Sequence, residues 1–308
     1  MSPPVGSIFD HGAIIDTCRA KSSTARMNDH SEILMGFALA EDIGEGDVTS
    51  LYFIPEERLA RAFVTVRREG VLSGVDLAAR VFSRVDPGLE VEILIPDGSR
   101  VSEGALVIRV EGKARSILTA ERTALNFLQR LSGVASLTAT YVEAVKGTSA
   151  RILDTRKTTP GYRFLEKRAV LHGGGENHRM GLYDRAMVKD NHLVAEGGGD
   201  ALQAAILRLK SAKPDIEVEL EADQIEQVRI FLGMEGVDHI LLDNMSLVDL
   251  REAVAARGER ITPMLEASGG VNLQTVRGIA GTGVDFISVG ALTHSAPALD
   301  IGLDFTPL

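Results

Sequence analysis

Apolar residues recur along the chain in two rhythms, and the change between them divides it. From Ser31 the spacing of Ile33, Leu34, Phe37 and Ala38 predicts a helix that runs into Glu41-Asp42-Ile43-Gly44-Glu45-Gly46-Asp47-Val48-Thr49, where two glycines mark a turn. Residues 60–115 alternate at Ala62–Arg67, Leu89–Ile95 and Leu106–Val110, which predicts three strands, with a helix near Leu77–Val85 and a turn at Pro96-Asp97-Gly98. Thr119 reads as the N-cap of a further helix that gathers Ala120, Ala124, Leu125, Leu128 and Leu131 on one face and stops at Ser132-Gly133. Arg122 then falls in its first turn, where a cation opposes the helix dipole.

Beyond residue 150 the rhythm changes. Short apolar runs recur at Arg151–Asp154, Ala186–Lys189, Ile216–Leu220, His239–Asp243, Pro263–Glu266 and Phe286–Gly290. Helix-like segments at Leu202–Leu209, Gln224–Leu232, Leu247–Ala256 and Leu273–Ile279 separate most of them, the βα alternation of a parallel sheet. Six units fit where a closed β/α barrel has eight. The predicted fold is therefore α/β: an incomplete parallel β/α barrel of the TIM type over 134–292, after an N-terminal α+β sandwich domain over 30–133 that the tail 293–308 can complete. Residues 1–29 carry no sustained period and read as a flexible leader, most of which a start at Met27 would remove.

The strand ends carry the chemistry. Asp154-Thr155-Arg156-Lys157, Lys189-Asp190-Asn191-His192, Glu219, Asp243-Asn244, Glu266-Ala267-Ser268-Gly269-Gly270 and Gly290 all close apolar runs, and in a barrel such ends converge on one mouth. Between Arg151 and His192 nine Lys and Arg face five Asp and Glu, a local +4 in a chain whose net charge is −10. A basic island in an acidic protein suggests an anionic substrate drawn to one place, held by charge-assisted bonds to carboxylate or phosphate. Gly173-Gly174-Gly175, Gly269-Gly270 and Gly290 offer backbone N–H groups for a phosphate. Glu219 and Asp243 suit ribose hydroxyls or a hydrated Mg²⁺. His239, just before an apolar run, reads as structural.

Composition narrows the class. No apolar run among the 308 residues is long enough for a membrane helix, and the first thirty lack a secretory core. The Ser-rich basic stretch Arg19–Arg26 is offset by Asp16 as a transit signal. Cys18 alone makes neither an internal disulfide nor a Cys-based zinc site and fits the reducing cytoplasm. The acidic balance, 5% aromatics and no Trp argue against nucleic-acid binding. No G-x-S-x-G, Walker or complete G-x-G-x-x-G motif and no zinc spacing of histidines occurs.

The run DTRKTTPGYRFLEKRAVLHGGGENHRMGLYDRAMVKDNH at 154–192, with EVEL at 217–220, LLDN at 241–244, LEASGG at 265–270 and SVGALTHS at 288–295, resembles the quinolinate phosphoribosyltransferases. EDIGEGDVTS at 41–50 and ERTALNFLQRLSG at 121–133 extend the resemblance over residues 30–308. It implies Mg²⁺-dependent transfer of the phosphoribosyl group of 5-phosphoribosyl-1-pyrophosphate to quinolinate with decarboxylation, on the de novo route to NAD. By that resemblance Arg122, Thr155, Arg156, His178, Arg179 and Lys189 bind quinolinate. Lys157 reaches the phosphoribosyl donor, Glu219 and Asp243 its ribose or Mg²⁺, and Ser268-Gly269-Gly270 with Val289-Gly290-Ala291 its 5-phosphate. Lys157, Glu219 and Asp243 are the catalytic candidates. The resemblance also implies a homodimer, or a higher oligomer of dimers, in which Arg122 enters the partner's site. Three other readings of the residues stand beside it: a paralogue of the same fold associated with molybdenum transport, a catalytically silent binding protein, and a barrel lyase forming a Schiff base at Lys157 or Lys189.

Overall fold

A computed structural model describes residues 23–189 and 199–308, with side chains from residue 30. The strands are β1 (Leu59–Val66), β2 (Gly70–Val71), β3 (Glu90–Ile93), β4 (Arg100–Val101), β5 (Leu106–Lys113), β6 (Arg151–Leu153), β7 (Arg185–Val188), β8 (Glu217–Ala222), β9 (His239–Asp243), β10 (Met264–Ser268), β11 (Phe286–Ser288) and β12 (Ile301–Pro307). An antiparallel sheet of order β12-β1-β5-β3 forms one unit. Alternation along β1 sends Ala60, Ala62 and Val64 inward, all fully buried, where they meet the core that includes Phe82, Ile117 and Leu128 from helices Val75–Val85 and Ala114–Ala144. The outer strand β12 comes from the C-terminus and pairs with β1 from Ala60↔Pro307 to Val66↔Ile301.

β2 and β4 pair as a separate two-stranded sheet, and the other six strands form a parallel sheet of order β6-β11-β10-β9-β8-β7, so the expected incomplete barrel is present. Apart from β8, where Glu217, Glu219 and Glu221 alternate with apolar residues, its strands are short apolar runs covered by helices on the outside. Among the described residues, β6 and β7 are joined by no ladder; one parallel bridge, Leu153↔Glu176, stands in the gap.

Three predicted boundaries change. The first described helix spans Ser23–Ile43 and so begins inside the predicted leader, while residues 1–22 lie outside the described residues. Thr119 is not an N-cap: the helix begins at Ala114, and the Thr119 hydroxyl donates to Asp47 Oδ2 at 2.9 Å. Arg122 accordingly sits in the third turn, away from the helix N-terminus. Nor does this helix stop at Ser132-Gly133, running instead to Ala144. Both small residues are contact points. Ser132 Oγ accepts from Ser73 N at 3.0 Å, and Gly133 lets the Pro297–Ala298 backbone cross the helix. The tail is held there by Leu299 N to Gln129 O at 2.9 Å and Gln129 Nε2 to Ile301 O at 2.6 Å. The long helix thus connects the antiparallel sheet to the barrel.

A Cβ at Gly133 would fall on the Pro297 carbonyl. Gly133→Ala is expected to gain helix propensity yet lower stability by about 1–3 kcal/mol through overpacking, read as a shift in the urea midpoint.

Candidate active site

Parallel registry and side-chain alternation stack the inward residues of the barrel in layers. At the N-terminal ends of the strands, Arg151 lies 4.2 Å over the Phe286 ring, His239 Nε2 is 3.4 Å from Glu217, and Arg185 is 2.5 Å from Glu217. His239 is thereby a structural group, far down the strand from the mouth. Inside the barrel lie Glu219 and Glu266, both fully buried, with His178 between them at 3.1 and 3.5 Å; Glu266 also lines the cavity above. The top layer holds Glu221, Asp243, Ser268 and Ser288 in the wall of a cavity of about 460 Å³.

The cations reach this cavity from two loops that one buried carboxylate ties together. Asp154, at the end of β6, forms an ion pair with Lys167 of helix Arg163–His172; both are fully buried. Asp154 Oδ1 also accepts from His178 N at 2.9 Å, and Lys167 Nζ donates to His178 O at 2.9 Å. In the orientation that satisfies both neighbours, the Asn177 amide donates to Asp154 Oδ2 at 2.6 Å and Lys167 O at 2.9 Å. Burial pushes Asp154 up to about 6 and pulls Lys167 down, so each needs the other to stay charged at neutral pH. The consequence is positional: Thr155-Arg156-Lys157 on one side of the hub and His178-Arg179 on the other are brought to the same cavity wall.

Of the expected residues, Thr155, Arg156, Lys157, His178, Arg179, Lys189, Asp243, Ser268, Gly269 and Gly270 line the cavity together. Arg156, Lys157 and Arg179 have no carboxylate partner in ion-pair range among the described residues, whereas Lys189 pairs with Glu221. Arg156 Nε is buried without a hydrogen-bond partner. Burial and then Arg156 beside it pull the Arg179 pKa down, and the charges of Glu219 and Asp184 offset them only in part. The basic island is in fact divided. Arg163 holds Met180 O at 3.0 Å, Arg168 reaches Asp76 at 3.5 Å and Arg151 reaches Glu176 at 3.2 Å, so those charges serve the fold.

Five expected residues lie outside the cavity wall. Arg122 is exposed on the long helix. Val289 is fully buried and its N–H is used by Leu153 O at 2.9 Å, so it has none for a phosphate; Ala291 opens the helix that follows. Gly290 sits behind Lys157, whose Cδ would be 3.3 Å from a Cβ there. Glu219 is fully buried behind the wall, 3.1 Å from His178, while Glu221, two residues on along β8, lines the cavity. Gly173 and Gly175, offered as phosphate donors, instead pack against Ala135 and Thr138 of the long helix. Asp190, Asn191 and His192 lie outside the described residues.

Glu221 and Ser288 join the wall without having been anticipated, and extending the Glu217, Glu219, Glu221 alternation by one step is the signal that finds the first. Gly269, at φ +92°, stands where a Cβ would strike the Asn244 side chain, so only glycine closes this loop over the cavity.

His178, Glu219 and Glu266 form a buried cluster. His178 Nδ1 accepts from Arg179 N at 2.6 Å, which leaves the ring proton on Nε2, facing the two carboxylates. Burial and the neighbouring Glu219 charge raise Glu266 well above the usual range; burial also pushes Glu219 up, but His178 and Arg185 outweigh it and hold Glu219 low. These three offer ligand atoms within 4.8 Å of one another. With a ring nitrogen, full burial and Arg185 3.7 Å from Glu219, the set is unlike the hydrated oxygen site of Mg²⁺. Glu221 and Asp243, oxygen donors on adjacent strands at the open mouth, fit that ion better. A larger cleft of about 600 Å³ lies between β2, β4 and the long helix, but Arg100 faces Glu69 and Glu143 there and no cations converge.

Comparison with known proteins agrees with this arrangement. Residues 134–304 match the quinolinate phosphoribosyl transferase C-terminal domain and residues 47–132 its N-terminal domain. The chain belongs to the quinolinate phosphoribosyltransferase family. It is 44% identical over 272 residues to the carboxylating nicotinate-nucleotide pyrophosphorylase of Mycobacterium leprae, covering 87% of this chain and 94% of that one. It is 45% identical over 286 residues to the mitochondrial decarboxylating quinolinate phosphoribosyltransferase 2b of Nicotiana tabacum, covering 88% and 80%. The solved nicotinate-nucleotide pyrophosphorylase of Francisella tularensis superposes with a TM-score of 0.85 at 38% identity over 91% of this chain and 97% of that one. The two matches adjoin between Ser132 and Val134, inside the long helix.

The hub and the cavity separate two lysines. Lys167→Met is expected to cost about 3–5 kcal/mol of stability by stranding the Asp154 carboxylate, whereas Lys157→Met, at an exposed position, stays within about 0.5 kcal/mol of wild type; chemical denaturation of both variants reads the difference.

Proposed function

We propose that the cavity binds quinolinate beside 5-phosphoribosyl-1-pyrophosphate and transfers the phosphoribosyl group to the pyridine nitrogen, releasing pyrophosphate and CO₂ and leaving nicotinate mononucleotide. The observation that carries this reading is the cation set Arg156, Lys157 and Arg179, without carboxylate partners among the described residues, facing Glu221 and Asp243 across one cavity. Quinolinate brings two carboxylates, which Arg156, Arg179 and Lys189 neutralise; Thr155 adds a hydroxyl at the same wall. His178 contributes position more than charge, since its Nδ1 accepts the Arg179 N–H. Lys157 and the Ser268-Gly269-Gly270 loop receive the phosphates of the donor, with Gly290 shaping the space behind Lys157.

Cleavage at ribose C1 builds positive charge on the sugar and negative charge on pyrophosphate. Glu221 and Asp243 offset the first and Lys157 the second, in a site shielded from water by both substrates. Glu221 and Asp243 are also the carboxylates we assign to Mg²⁺, which would screen the pyrophosphate charge. The pyridine nitrogen attacks the opposite face, and the resulting pyridinium stabilises the carbanion left when the 2-carboxylate departs as CO₂; that carbon then takes a proton from solvent to give the nucleotide. The protein's work is positioning and charge balance, with no covalent nucleophile.

A homodimer completes this reading. Arg122 is exposed outside its own cavity, and three residues before it Thr119 fastens the short helix Val48–Phe53, whose Tyr52 and Phe53 are 83% and 80% exposed. A cation flanked by an open apolar patch suits a subunit contact that delivers Arg122 to a partner's cavity. No described helix is long and apolar enough to cross a membrane. We place the enzyme in the cytoplasm, in keeping with its single cysteine.

With quinolinate, 5-phosphoribosyl-1-pyrophosphate and Mg²⁺, the purified protein is expected to release CO₂ and nicotinate mononucleotide in equal amounts, to ignore nicotinate, and to stop when the metal is chelated. Folded protein that turns over nicotinate, or yields the nucleotide without CO₂, contradicts the assignment. Arg156→Ala and Lys189→Ala are expected to raise the KM for quinolinate by about 10- to 150-fold, the equivalent of a lost charged bond of about 1.5–3 kcal/mol. Mixing Arg122→Ala with Lys157→Met protein, each strongly impaired alone, restores activity if the sites are shared across the dimer, and leaves the mixture as impaired as its parts if they are not.

A further inference from the structure

Resting on the reading of Lys157 above, we infer that Arg130, which does not line the cavity, is the positioning residue that sets Lys157 for transfer. Arg130 lies on the long helix, two turns beyond Arg122, and its guanidinium spreads its donors over two chain segments. Toward the first, Nε and one terminal nitrogen donate to Glu166 Oε1 at 3.2 and 2.7 Å. Glu166 is fully buried, and its remaining capacity is spent on Thr159, accepting from the hydroxyl at 2.8 Å and from the backbone N at 2.9 Å. Thr159 closes the loop that carries Arg156 and Lys157.

Toward the second segment Arg130 donates to Ala296 O at 2.8 Å and to Thr293 O. Thr293 is fully buried as well, and its hydroxyl donates to the Lys157 carbonyl at 2.7 Å. The Lys157 backbone is therefore fixed by Thr293 directly and through Thr159 two residues later, and both supports converge on one guanidinium. The lysine side chain itself is exposed at the cavity and has no protein carboxylate to hold it among the described residues. Its aim depends on where its backbone is put. A planar fork with five donors can join a carboxylate to two carbonyls; an ammonium at the same place keeps the charge beside Glu166 but not the geometry.

The test is a double-mutant cycle in the full chain with Arg130→Lys, Thr293→Val and Lys157→Met. Arg130→Lys and Thr293→Val are each expected to lower kcat/KM for 5-phosphoribosyl-1-pyrophosphate by about tenfold or more while the KM for quinolinate stays within about threefold. In the Lys157→Met background the same two changes are expected to cost less than about threefold further, because they act through the missing side chain. Thr293→Val removes the hydroxyl donor to the Lys157 carbonyl, and its longer contact with Gly290 O, with little change in volume, so it reads the same link if Arg130→Lys fails to fold. Additive losses in the Lys157→Met background, or equal losses for both substrates, overturn the positioning role alone. Full activity of Lys157→Met overturns the assignment of Lys157 and the inference with it.

Discussion

The buried ion pair between Asp154 and Lys167 is the interaction on which the site depends. Two charges taken out of water are costly, and they persist here because Asp154 is also bonded by the His178 N–H and the Asn177 amide, while Lys167 is bonded by the His178 carbonyl. That set of bonds links the end of β6 to helix Arg163–His172 and to the loop holding Arg179. It therefore brings mutually repelling cations to one wall before any substrate arrives. Preorganised charge of this kind supplies transition-state stabilisation without reorganisation at the moment of reaction.

The barrel then arranges charge by depth. Paired and cation–π contacts close its lower end, a buried cluster of His178, Glu219 and Glu266 fills the middle, and the open acids and cations stand at the mouth. The middle layer leaves Glu219 Oε1 and Oε2, Glu266 Oε2 and His178 Nε2 without a well-formed hydrogen bond. Local rules are broken under a functional site more readily than elsewhere, and the rest of the fold carries the cost. The N-terminal sheet contributes through one element, the long helix, which packs the two units together and carries both Arg122 and Arg130.

The six barrel strands were legible because strands covered on both faces are written as short, nearly continuous apolar runs. Depth within the barrel was not. Glu219 and Glu221 are two apart on one strand and so share a face; a period of two distinguishes faces but cannot tell a floor from a mouth. Helix Arg163–His172 escaped notice because its buried face includes Glu166 and Lys167, which read as surface charges until Arg130 and Asp154 are seen opposite them. Ser132-Gly133 looked like a helix stop for a related reason: small residues mark a close crossing as readily as an end, and the crossing segment lies more than 160 residues away in sequence. The glycine triplet at 173–175 misled in the same way. What the motifs conveyed well was the cation set at the mouth, since Thr155, Arg156, Lys157, Arg179 and Lys189 owe their shared wall to the strand ends and to the hub between them.

The account's central claim is that this one cavity holds both substrates, with the acids at the mouth and not those beneath it meeting the ribose. The most direct measurement is a crystal structure of the protein with quinolinate and a non-hydrolysable phosphoribosyl pyrophosphate analogue. The account predicts quinolinate carboxylates on Arg156, Arg179 and Lys189, the ribose facing Glu221 and Asp243, and Glu219 untouched behind His178. Ligand in the cleft beside β2 and β4, or a ribose bonded to Glu219 in place of Glu221, would contradict it.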